Sequence, residues 1–93
     1  MRVDLFLKAL CLVKTRSQAR KGIADGHVSV NGRAVKPGRE IREGDVIEIR
    51  RPRRTLAVEV LEVPAGQVAK RDRERFIRTI RDVKTDPMEG WHA

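Results

Sequence analysis

The chain has 93 residues, with 21 lysines and arginines against 13 acids, a formal net charge of +8 and a pI near 10.8. That length allows one domain with a thin core and little room for a deep substrate pocket. A single cysteine, Cys11, excludes an internal disulfide and a cysteine-based zinc site, and a surface this basic points to a polyanion, nucleic acid above all.

The charge is uneven. Residues 2 to 22 carry six bases (Arg2, Lys8, Lys14, Arg16, Arg20, Lys21) against one acid, Asp4. The opening Met-Arg-Val-Asp lacks the apolar stretch of a secretory leader, and the apolar run that follows is far short of a bilayer span. The cytoplasm is therefore the expected location, with no membrane contact.

The run from Leu5 to Val13, broken only by Lys8, predicts a first helix with Asp4 as its N-cap. Thr15 followed by Gln18 is a capping-box pattern that starts a second helix, and Gly26 stops it. Ala19 and Ile23 fall one turn apart and face the first helix. Arg16 and Arg20 are also one turn apart and point outward beside that seam. The period then changes. Val28 and Val30 alternate with His27 and Ser29, as in a half-buried strand, and Asn31-Gly32 is a two-residue hairpin signal. Ala34 and Val35 begin the return. Pro37-Gly38 and Glu43-Gly44-Asp45 mark turns. Val46, Ile47 and Ile49 form another strand, and Pro52 interrupts it inside the basic run Arg50 to Arg54. Leu56, Val58 and Val60 give a last strand, ending near Pro64. From Gln67 the pattern is helical again, with Phe76, Ile77, Ile80 and Val83 as an apolar stripe. Residues from Thr85, including Asp86-Pro87, read as a loose tail.

In chemical terms, Arg16 and Arg20 offer planar guanidinium forks suited to bidentate phosphate contact, and Lys8, Lys14 and Lys21 are point charges. Thr15, Ser17 and Gln18 sit at a helix N-terminus, where free backbone donors favour a phosphate; Thr15 and Gln18 serve equally as caps. His27, Asn31, Arg33 and Lys36 are candidates for a second wall, with Asn31-Gly32 also readable as a purely structural turn. Aromatics are limited to Phe6, Phe76 and Trp91, so base stacking on aromatic platforms is not expected. No phosphate loop, catalytic carboxylate pair or Cys/His pairing is evident, so neither enzymatic activity nor a cofactor is expected.

Arg2-Val-Asp4, Lys14-Thr-Arg-Ser-Gln-Ala19, Gly26-His-Val-Ser-Val-Asn-Gly32 and Gly44-Asp45-Val-Ile, in that order, resemble the RNA-binding module named after the bacterial small-subunit ribosomal protein S-four. The resemblance spans Arg2 to about Arg50. The whole chain is similar to the family's stand-alone members, the small heat-shock S-four protein and the ribosome quality-control S-four factor. It implies an α+β fold, with two N-terminal helices on a small, mainly antiparallel sheet plus a C-terminal helix. The implied division is a module with its following strands over 1–64, a helical extension over 65–84 and a tail over 85–93. It implies binding of ribosomal RNA and tRNA on the large ribosomal subunit, in rescue or quality control of stalled translation, with the protein a monomer off the ribosome. Arg2, Asp4 and Arg16 carry over first, with Asp4 orienting an arginine rather than touching RNA. The competing readings are a DNA-binding regulator, an accessory factor in RNA modification or ribosome assembly, and an RNA-free adaptor that uses the apolar face of the C-terminal helix.

Overall fold

The computed structural model describes residues 1–84; the tail expected over 85–93 lies outside them. Two short helices, α1 (Val3–Ala9) and α2 (Arg16–Ala24), precede strands β1 (Val28–Val30), β2 (Arg33–Ala34), β3 (Val46–Arg51) and β4 (Arg54–Val60). A 3-10 turn (Lys70–Asp72) leads into α3 (Arg73–Phe76), and β5 (Ile77–Lys84) closes the described chain. The five strands form one antiparallel sheet in the order β2-β1-β3-β4-β5. The fold is α+β, as expected.

Alternation decides the inner face of the sheet. Val28, Val30, Ile47, Ile49, Val58, Val60 and Ile77 are buried, and they meet Val3, Phe6, Leu7 and Leu10 from α1 and Ala19 and Ile23 from α2. A seven-residue helix is not stable alone; α1 persists because this apolar face is covered.

Three expectations need correction. Asp4 does not cap α1: Arg2 is the N-cap residue, with no side-chain cap, and Asp4 is fully buried in the first turn. The first helix also stops short of Val13. Cys11 turns into left-handed space at φ 56°, and the amides of Leu12 and Val13 return to the Leu7 carbonyl. This reversal puts both Leu10 and Leu12 into the core, which a straight helix on this run cannot do.

The third correction is the C-terminal extension. Its helix is a single α turn after the 3-10 turn, and the Ile77, Ile80, Val83 stripe belongs to β5, paired along β4 from Val60↔Ile77 to Arg54↔Lys84. A register shift between Ala57 and Val58 breaks the pairing, so the residues do not alternate cleanly. The pairing satisfies the backbone groups on the outer side of β4. Arg54 clamps it with a two-pronged contact to Asp82, at 2.8 and 2.9 Å.

Turn chemistry holds the rest in place. Asn31 (φ 53°) and Gly32 (φ 80°) supply the two positive-φ positions of the β1–β2 hairpin. The long loop after β2 returns to the N-terminus, where the Val3 amide donates to the Arg39 carbonyl and the Ile41 amide to the Met1 carbonyl. Ile41 is thereby driven into the core, and Arg2 is held over the Pro37-Gly38 turn.

Candidate nucleic-acid interface

One carboxylate organises the N-terminal charges. Asp4 has a fully buried side chain whose Oδ2 accepts from Arg16 Nε and from Arg20 Nε, both at 3.2 Å. Arg2 Nε lies 3.4 Å from Oδ1, as an ion pair without hydrogen-bond geometry. The Leu5 amide donates to Oδ1 at 2.8 Å. Burial by itself would raise the carboxyl pKa. The Arg16 hydrogen bond, the Leu5 amide and the positive charge of Arg16 and Arg2 outweigh it and hold Asp4 below its ordinary value of 3.8.

The three arginines are not buried with their anchor. Their side chains retain 43, 41 and 55% exposure for Arg2, Arg16 and Arg20. Each turns its Nε edge toward Asp4, and the Arg2 guanidinium also packs on Gly38. One buried negative charge against three guanidinium charges leaves a local excess of two positive charges on a fixed frame. Such a frame suits phosphate oxygens, because the forks are oriented before the ligand arrives.

The helix packing explains why these residues meet. Arg16 and Arg20 lie on one side of the Ala19–Ile23 seam of α2, next to the N-terminal turn of α1. Thr15 is the N-cap of α2, and its hydroxyl accepts from the Gln18 amide at 3.1 Å. Ser17 and Lys21 are exposed on the outer face of α2. Lys36 is exposed in the loop that passes Arg2.

The remaining candidates do not join this cluster. Lys8 and Lys14 lie across the Ala19 seam from Arg16, with His27, in a groove between the α1–α2 turn and the β3–β4 hairpin. Arg33 is exposed at the β1–β2 hairpin. Asn31 is occupied by the start of β3: its side-chain amide donates to Asp45 Oδ1 at 3.0 Å, and its side-chain carbonyl accepts from the Val46 amide at 2.9 Å. Of the expected second wall, His27 lines the groove, Asn31 and Arg33 sit at the β1–β2 hairpin, and Lys36 lies in the loop that passes Arg2. Three arginines of the basic run around Pro52 are also committed to structure, while Arg53 is exposed. Arg50 donates to the Gly26 carbonyl, Arg51 to the Leu12 carbonyl and Arg54 to Asp82. No residue pattern flagged Arg51 or Lys70 as neighbours of Lys8 and Lys14, because the contact spans most of the sequence.

No helix among the described residues is long and apolar enough to cross a membrane. Among the same residues, no group of three or more His, Cys, Asp and Glu side chains is placed to hold a metal ion.

Comparison with known proteins agrees with this geometry. The family model described as S4 domain matches residues 1–47. An RQC P-site tRNA stabilizing factor from Halalkalibacterium halodurans is 38% identical over 63 residues, covering 68% of this chain and 72% of that protein. The small ribosomal subunit protein uS4 of Parvibaculum lavamentivorans is 40% identical over 82 residues, covering 87% of this chain but 38% of that protein. The chain spans well under half the length of the ribosomal-protein relatives it matches. The trimeric structure of Vibrio cholerae Heat Shock Protein 15 superimposes with a TM-score of 0.80 at 25% identity, covering 85% of this chain and 80% of that one. With the family model over half its length and the two-helix frame around Asp4 in place, this chain belongs to the S4 domain family.

Proposed function

We propose that this chain is a non-enzymatic RNA-binding protein whose Arg2, Arg16 and Arg20 grip phosphates of folded RNA. The observation that carries this is the convergence of three guanidinium groups on one buried carboxylate, with their side chains still partly exposed. Lys36, Lys21, Ser17 and the capped start of α2 extend the same positive face. Few aromatics and rigid forks favour reading of backbone shape over single-strand sequence.

The RNA we infer is ribosomal RNA together with tRNA on the large subunit, and the setting is rescue or quality control of stalled translation. The names of the relatives, a P-site tRNA stabilizing factor and a ribosomal protein, support a ribosomal site of action. The protein acts there as a monomer in the cytoplasm.

Binding to a structured ribosomal RNA fragment, measured against salt, tests the first part. Arg16→Ala should weaken binding by about 1–3 kcal/mol if it makes a bidentate contact, and each lost phosphate contact should flatten the salt slope by roughly one unit. Unchanged affinity and slope in Arg16→Ala and Arg20→Ala would remove the arginine frame from the interface. Crosslinking and sequencing of bound RNA in cells tests the second part. Recovery of large-subunit ribosomal RNA with tRNA is expected, and preference for duplex DNA in competition would favour a DNA-binding regulator instead.

A further inference from the structure

The groove on the opposite side of α2 from the Asp4 frame has its own character. It encloses about 810 Å³ between the α1–α2 turn, the β3–β4 hairpin and the 3-10 turn. Its floor is aliphatic, formed by Leu12, Val13, Val28, Ile49 and Pro52. Five cations stand around it, Lys8, Lys14, Arg50, Arg51 and Lys70, and no carboxylate is among the described residues that line it. Glu48 pairs with Arg50 from outside, at 3.7 Å. Arg50 and Arg51 tie the hairpin to the Gly26 and Leu12 carbonyls, so they build the wall while the lysines supply the free ends. Gln18, Gln67 and His27 add side chains able to pair with base edges.

An apolar floor under a cationic rim fits a ligand that is flat and apolar in one part and anionic in the other. We propose that this groove is a second RNA site that takes one unpaired nucleotide, with the base on the floor and its flanking phosphates at Lys8, Lys14 and Lys70. The base is held by burial and edge hydrogen bonds, because among the described residues no Phe, Tyr or Trp lines the groove; the His27 imidazole adds one ring able to stack on it. Lys14 immediately precedes the cap of α2, so the groove and the arginine face flank the same helix start and one RNA passing around it can engage both. In that respect the site rests on the RNA-binding reading, and it adds a preference for a bulged or looped nucleotide.

Gly22 provides a probe that leaves every charge in place. It lines the groove, and a Cβ there meets only Val28 Cγ2, at 3.8 Å, so a side chain can be added without a clash at its root. The experiment measures binding of a hairpin RNA carrying one bulged fluorescent aminopurine and of its fully paired counterpart. The wild type should prefer the bulged RNA by about tenfold and change the probe's emission. Gly22→Leu should abolish both effects while binding paired RNA as before. Because a leucine could disturb packing, Lys8→Gln with Lys70→Gln is the second variant. It should lose the same preference and flatten the salt slope by about 0.7 per contact. No preference in the wild type, or a preference retained by both variants, overturns the site. Groove variants that leave RNA binding intact but lose an acidic peptide would assign the groove to a protein partner and overturn it as well. Arg16→Ala reports separately: if it leaves paired-RNA affinity unchanged, the arginine frame fails, whatever the groove does.

Discussion

Asp4→Asn separates positioning from simple charge. The substitution raises the net charge from +8 to +9. If Asp4 were only a negative charge near RNA, its loss would tighten binding. The geometry predicts the opposite. The amide keeps one acceptor, but its NH2 end faces the arginines, so donor meets donor where Oδ2 held Arg16 and Arg20 at 3.2 Å. Hydrogen bonds to a charged group are worth about 1.5–3 kcal/mol each. The arginines are roughly half exposed and regain water when released, so most of that Coulomb energy is returned. A net destabilisation of about 2 kcal/mol is the reasonable scale, which lowers the melting temperature by roughly 8–16 °C for a domain of this size. Two forks freed to rotate should cost RNA affinity about tenfold, or about 1.4 kcal/mol. Thermal melting and fluorescence anisotropy at a temperature where the variant is folded provide both numbers. Equal or tighter RNA binding by folded Asp4→Asn would refute the positioning role.

The lowered pKa of Asp4 also predicts an acid limit. Its folded value lies below the unfolded 3.8, so its contribution is fully present above that pH and is lost as pH falls through the folded value. Chemical denaturation from pH 5 downward, values chosen to bracket about one unit above the carboxylate range, should show wild type losing stability faster than Asp4→Asn. Parallel profiles would argue against the linkage. Gly26→Ala places a side chain at φ 79° with open space around it, so its cost is conformational alone, about 1–2 kcal/mol, with RNA affinity unchanged in the folded protein. Phe6→Ala empties a fully buried core position and should cost about 3–5 kcal/mol, read as a large drop in denaturant midpoint at constant slope.

Local patterns were legible wherever one residue type dictates one backbone state. Thr15 before Gln18, Gly26 after Ala24, and Asn31-Gly32 between alternating valines each required a cap, a stop or a turn, and each is found there. The stripe from Phe76 to Val83 misled because its spacing fits a helix. The competing signal was composition: Ile77, Thr79, Ile80 and Val83 are β-branched, and those side chains favour a strand. What decided between them was the open side of β4, which lies far away in sequence.

By itself the sequence determined the excess of positive charge before residue 22, the order of helices and strands as far as β4, and the pairing of Arg16 with Arg20 on one side of α2. These depend on periodicity and composition within a few residues. Only the tertiary structure decided that Asp4 would be buried as the hub of three arginines, that Lys8 and Lys14 would face a groove walled by Arg51 and Lys70, and that residues 77–84 would be a strand. Each of those outcomes depends on which distant surfaces are brought together to bury apolar area, and a periodicity of two or three and a half residues carries no record of that.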